Sequence, residues 1–259
     1  MQPMAKWYDR HDTWAPGPLN RRRKAAASTL ACFAIVALVA GANALTRDET
    51  TEYTSAFSPP PPTTMNYLRV TVLGDSYAAG MGASRNGGWT RVAARKNCWS
   101  VRLEAQVDTG YVTAGTDSST AFTDPRKLQD ATAGSPELIL VQGSISDTGK
   151  SGIYEAAKEV YETLQALAPQ ATIVVIGPTN APAIGPADNY ANRDAIQEAA
   201  EQAGLTFIDP ITRDWLPDPA LYAPDQVNLT GKGHRAYADD VRSALQDSGL
   251  KTRNGCQTG

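Results

Sequence analysis

The sequence predicts an α/β domain three layers deep, a parallel sheet with helices on both faces, preceded by one transmembrane helix. Three observations predict it. From Tyr67 onward, short aliphatic or β-branched runs alternate with longer helical patterns, the signature of strand–helix–strand units. The most apolar of these runs read as strands buried on both faces. Near the N-terminus, AAASTLACFAIVALVAGANALT runs for 22 residues without a charge, long enough to span a bilayer as a helix. The 259 residues allow one good-sized domain with extensions or two small ones, and one core is the simpler expectation. With 42% hydrophobic and 20% charged residues, the composition is that of an ordinary globular protein, without collagen, coiled-coil or bulk-disorder bias.

The apolar run at 25–46 follows Arg21, Arg22, Arg23 and Lys24 and precedes Asp48, Glu49 and Glu52. By the positive-inside rule, 1–24 is then a cytoplasmic basic tail and the rest of the chain extracytoplasmic. The membrane is thus one expected partner. Cleavage near Ala44 is the rival reading, because Ala42-Asn43-Ala44 has the small-x-small form of a signal-peptide site; a leader this long before the apolar core favours the uncleaved anchor. The linker at 47–66 contains Ser58-Pro59-Pro60-Pro61-Pro62-Thr63-Thr64, expected to form an extended polyproline spacer. The net charge of -3 hides an asymmetry: six of the 24 Lys/Arg lie in 1–24 against Asp9 and Asp12, leaving 18 against 25 acidic residues afterwards. That excess argues against nucleic acid as a partner. Of three cysteines, Cys32 lies in the apolar run, while Cys98 and Cys256 share the disulfide-permissive side. A Cys98–Cys256 bridge is expected, two unpaired thiols being the alternative.

Within the domain at 67–249 the expected strands are Tyr67–Leu73, Ser100–Val107 (a weak signal), Leu138–Val141, Thr172–Ile176 and Thr206–Ile208. The expected helices include Tyr154–Leu167, Arg193–Ala203 and His234–Gln246, each rich in helix formers with apolar residues at three-to-four spacing. Residues 250–259 form a short C-terminal tail. Trp89 and Trp215 are read as core or cleft-wall residues, and Trp7, Tyr8 and Trp14 as part of a disordered tail. No metal cluster, phosphate loop or dinucleotide fingerprint is present, so no cofactor or metal is implied.

In such sheets ligands bind beyond the carboxyl ends of the strands. There Leu73-Gly74-Asp75-Ser76-Tyr77-Ala78-Ala79-Gly80 follows the first strand and should open the first helix. A serine so placed can expose its hydroxyl to the cleft and aim its own N–H at developing negative charge. The alternative is an ordinary turn with Asp75 or Ser76 as helix N-cap.

This segment resembles block I of the SGNH (GDSL-type) hydrolases, a family of esterases, lipases, acyl-hydrolases and acetyltransferases. Gly110-Tyr111-Val112-Thr113-Ala114-Gly115 falls where that family has the glycine whose N–H joins the oxyanion hole. Val141-Gln142-Gly143-Ser144-Ile145-Ser146-Asp147 resembles its G-x-N-D block, with Ser144 in the glycine's place and Ser146 in the asparagine's. Asp225-Gln226-Val227-Asn228, continuing to Gly233-His234, resembles the D-x-x-H block, with Asn228 in the catalytic histidine's place. The resemblance covers roughly 67–248. It implies a flavodoxin-like three-layer fold, Ser76 as nucleophile, Asp225 as triad acid, and Ser76, Gly110 and Ser146 around the oxyanion hole. The implied ligand is an acyl ester, lipid or glycan.

The chemistry is impaired by these substitutions. Serine needs a base within hydrogen-bond reach, and an asparagine amide cannot take its proton. Of the two histidines, His11 precedes the apolar run, which leaves His234 as the substitute base; the family often carries a histidine there in a packing or helix-start role. Asp225 acting through water is a further alternative. Two functions follow: a hydrolase or acyltransferase of low activity on envelope glycans or lipids, or an inactive relative that binds a ligand or partner in the same cleft. A purely structural ectodomain is a third.

Overall fold

The computed structural model describes residues 67–116 and 119–250. The basic tail, the apolar run 25–46, the Pro-rich linker, His11, Cys32 and Cys256 lie outside these. Among the described residues no helix is long and apolar enough to cross a membrane.

Five parallel strands form one sheet: β1 (Leu68–Gly74), β2 (Trp99–Ala105), β3 (Leu138–Gln142), β4 (Thr172–Ile176) and β5 (Thr206–Ile208), in the order β2-β1-β3-β4-β5. This is the flavodoxin-like order, and chain direction across the sheet reverses between β1 and β3. Valine, isoleucine and leucine fill β3 and most of β4, which are buried on both faces. At the edge, β2 is only partly buried. That explains its weak pattern and the early end at Ala105 in place of Val107.

Six α-helices and two 3-10 turns (Ile145–Asp147 and Pro219–Leu221) complete the described residues; the α-helices are α1 (Ser76–Ala79), α2 (Trp89–Asn97), α3 (Pro125–Thr132), α4 (Ile153–Leu167), α5 (Pro186–Gln202) and α6 (Gly231–Asp247). One face of the sheet, through Val70, Val72, Leu140, Val174 and Ile176, packs on α1, α2 and α6, where the Tyr237 ring meets Trp89 at a tilt and Trp215 edge to face. The other, through Leu73, Ile139, Val141 and Val175, packs on α3, α4 and α5. Each layer therefore buries a continuous apolar stripe, the main favourable term in folding. Both tryptophans are core residues, as expected.

Helix α5 begins at Pro186, seven residues before the expected Arg193. Its first turns bury Asn189 and Asn192 rather than apolar residues, so hydrophobic periodicity is silent there; Asn189 Nδ2 donates to Thr179 O at 2.8 Å and Asn192 Nδ2 to Ser144 O at 2.6 Å. Helix α3 escaped the hydrophobic reading but carries a start signal: Asp124 accepts from the N–H groups of Arg126 and Lys127, with Pro125 in the first turn.

Candidate active site

Ser76 lies at the carboxyl end of β1, beside the switch point. Asp75 caps α1: its Oδ1 accepts from Tyr77 N–H at 2.9 Å and its Oδ2 from Ile145 N–H, beyond β3, at 3.2 Å. The carboxylate thus ties the loops after the two central strands together. Burial pushes its pKa up to about 6, against the lowering effect of these hydrogen bonds.

Ser76 is buried, 3% exposed. Its Oγ accepts from the Asp108 backbone N–H at 2.8 Å, and its hydroxyl donates to Asp108 Oδ1 at 3.3 Å. Asp108 follows β2 with φ +58°, a left-handed backbone that aspartate tolerates better than most residues. Sequence reasoning missed it, although Asp-Thr-Gly directly after a strand is a turn signal.

Gly110, expected to supply an oxyanion-hole N–H, does not have it to offer: that N–H donates to Thr113 O at 2.8 Å. The glycine is needed for packing. A Cβ here would lie 2.3 Å from both Asp147 Oδ2 and Ser144 Oγ. Asp147 accepts from the N–H groups of Tyr111, Val112 and Thr113, while burial raises its pKa.

Ser146 lies on a single 3-10 turn, Ile145–Asp147, after β3. Its N–H donates to Ser144 Oγ at 3.0 Å and its carbonyl accepts from Thr113 Oγ1 at 3.0 Å. Ser144, fully buried, donates its hydroxyl to Thr109 O at 3.1 Å. The Ser144 hydroxyl and the Ser146 backbone carbonyl thus stitch the loop after β3 to the loop after β2.

Asp225 and Asn228 meet as a pair. Asp225 Oδ1 accepts from the N–H groups of Val227 and Asn228 at 3.0 and 2.9 Å, and Oδ2 accepts from Asn228 Nδ2 at 2.7 Å. The Asn228 amide, then these backbone donors, hold the exposed Asp225 carboxyl below its usual range. An amide therefore makes the hydrogen bond to the acid that an imidazole makes in a Ser-His-Asp triad, without imidazole's ability to take a proton. Tyr77, next to Ser76, donates its hydroxyl to Val227 O at 2.6 Å and anchors this loop to α1.

His234 is not the substitute base. It is fully buried. Nδ1 accepts from Trp89 N–H at 3.3 Å, which puts the proton on Nε2 for donation to Met81 O at 2.8 Å. Both ring nitrogens are committed, and burial lowers the pKa. The histidine clasps α6 to the segment after Ser76, the packing role that the resemblance implied for it.

The GDSL-like lipase/acylhydrolase family profile matches residues 72–236. The chain belongs to this family. It is 29% identical to a GDSL lipase of Mycobacterium tuberculosis over 197 residues, covering 70% of this chain and 83% of that one. Solved structures agree on the fold. A salicylyl-acyltransferase from a tetracycline biosynthetic pathway superposes with TM-score 0.59 at 18% identity, over 74% of this chain and 57% of that one. A family two carbohydrate esterase from Clostridium thermocellum, in complex with cellohexaose, gives 0.57 at 13% identity, over 74% and 66%. An esterase from Pseudoalteromonas, inhibited by monoethylphosphonate, gives 0.54 at 14% identity, over 70% and 97%.

Proposed function

We propose that this GDSL-family chain is a membrane-anchored, extracytoplasmic ester hydrolase or acyltransferase of low turnover, acting on acyl esters of envelope glycans or lipids. The observation that carries the reading is the Ser76 hydroxyl, held at the switch point of the sheet with its Oγ on the Asp108 N–H at 2.8 Å. The low turnover follows from Asn228: removing a triad member lowers turnover by roughly 10⁴ to 10⁶. The basic cluster before residues 25–46 supports the anchor and orientation, and the glycan-bound esterase of the same fold supports the ligand class. A fluorophosphonate probe should label Ser76 and leave Ser76→Ala unlabelled. A folded protein that resists labelling from pH 5 to 9 would sink the reading. For the anchor, the full-length chain should fractionate with membranes; a mature N-terminus just after Ala44 would show secretion instead.

A second reading is favoured by the Asn228–Asp225 hydrogen bond at 2.7 Å, which preserves the last loop without a base. The cleft would then bind an acylated ligand or envelope partner without turning it over. In that case Ser76→Ala keeps the biological activity.

A further inference from the structure

We propose that Asp108 is the proton acceptor of Ser76, a carboxylate base that takes over from the missing imidazole; the inference rests on Ser76 being an acyl-accepting nucleophile. Three observations lead there. The Ser76 hydroxyl donates to Asp108 Oδ1 at 3.3 Å, and catalytic hydrogen bonds in ligand-free sites are commonly long and tighten on binding. The other candidates are occupied, His234 by Trp89 and Met81, and Asp225 by Asn228 and the Val227 N–H. Third, the same residue holds the serine from two sides, its N–H donating to the Oγ that its carboxylate would deprotonate. The left-handed backbone of Asp108, φ +58°, places both groups on one oxygen.

The step balances. Ser76 Oγ bonds to the ester carbonyl carbon as its proton passes to Asp108 Oδ1. The C–O bond to the leaving alcohol breaks, and Asp108 returns the proton to that oxygen. Water then attacks the acyl-serine, giving one proton to Asp108, which passes it to the departing Ser76 Oγ. Charge is conserved within the pair. The carboxylate is neutralised as the oxyanion forms, so the two negative charges never coexist at full strength. A carboxylate is a weaker base than an imidazole, so a pair of this kind is slow, in keeping with low turnover.

The test uses the full chain in detergent, with Asp108→Asn and Asp108→Gly. Asparagine and glycine tolerate a positive φ best and keep the backbone N–H, so both variants remove only the carboxylate. The readout is the rate of Ser76 acylation by the uncharged ester p-nitrophenyl acetate, followed as a burst of p-nitrophenol, with Ser76→Ala as blank and thermal melting as fold control. A positioned general base is worth about 10² to 10⁴, so both variants should acylate at least ~10-fold more slowly with unchanged melting. Removing a negative charge beside a developing oxyanion would by itself speed acylation, so a slowdown isolates the base. Variants acylating as fast as the parent, or faster, overturn the proposal and leave the esterase reading standing. A parent that forms no acyl-enzyme overturns both.

Discussion

A single amide governs how far the site can go. Asn228 already holds the hydrogen bond to Asp225 Oδ2, so Asn228→His would put an imidazole on a waiting carboxylate without rebuilding the loop. Hydrolysis of p-nitrophenyl acetate is expected to rise by two or more orders of magnitude, and a flat result would locate the defect at the oxyanion side. His234 carries a different burden. His234→Ala strands the buried N–H of Trp89 and the carbonyl of Met81 and opens a cavity. Urea unfolding should show a loss of about 3 to 5 kcal/mol.

The pH dependence of stability follows from two buried groups of opposite sign. His234 has its folded pKa depressed by burial. The unfolded chain therefore takes the proton first, and stability present above about pH 6.5 is lost as the pH falls below it. Asp75 has its folded pKa raised to about 6 from 3.8. Here the folded chain takes the proton first, so a cost of roughly 3 kcal/mol, present above pH 6, is relieved as the pH falls toward 4. In the wild type the two partly cancel. In Asp75→Asn the relief is gone, and urea midpoints measured from pH 7 to 4 should fall more steeply than in the parent.

At the scale of elements, the loop after α1 is packed without slack. Gly82 has φ +84°, and a Cβ there would lie 2.2 Å from Leu229 O. Gly82→Ala should cost about 2 to 4 kcal/mol by thermal melting, whereas an alanine at Gly134, where a Cβ would meet nothing within 4 Å, should cost about 1 to 2, through its positive φ alone. The same scale shows what the sequence makes legible. Strands β4 and β5 match their expected limits because aliphatic runs flanked by turns admit little else. The start of α5 was invisible because its buried face is asparagine. Ser76 is legible as a candidate from its residue type at a strand end, and Asp225 and Asn228 from the D-x-x-H-like block that holds them. Asp108 could not, since its importance comes from a backbone angle and a contact across 32 residues of chain, and Gly110 was misjudged because only coordinates show where an N–H points.

For the molecule as a whole, the order β2-β1-β3-β4-β5 brings the ends of β1 and β3 together, and Asp75, Ser144 and Asp147 lock the loops beyond them. The C-terminal tail should be fastened by the expected Cys98–Cys256 bridge, Cys98 being buried where α2 ends. Intact mass of the alkylated protein with and without reductant should differ by two blocked thiols; equal masses would show unpaired cysteines.

The clasp made by His234 also has a consequence in time. Its partner carbonyl on Met81 is 153 residues earlier in the chain, and Tyr77 waits for Val227 across 150. Ser76 therefore leaves the ribosome, and by the proposed topology crosses the membrane, long before the residues that enclose it exist. By the proposed mechanism Ser76 needs this clasped cleft, so ester modification should wait until the last helix has docked. Nascent chains stalled before residue 225 should accordingly show no labelling of Ser76, whatever activity the finished protein has.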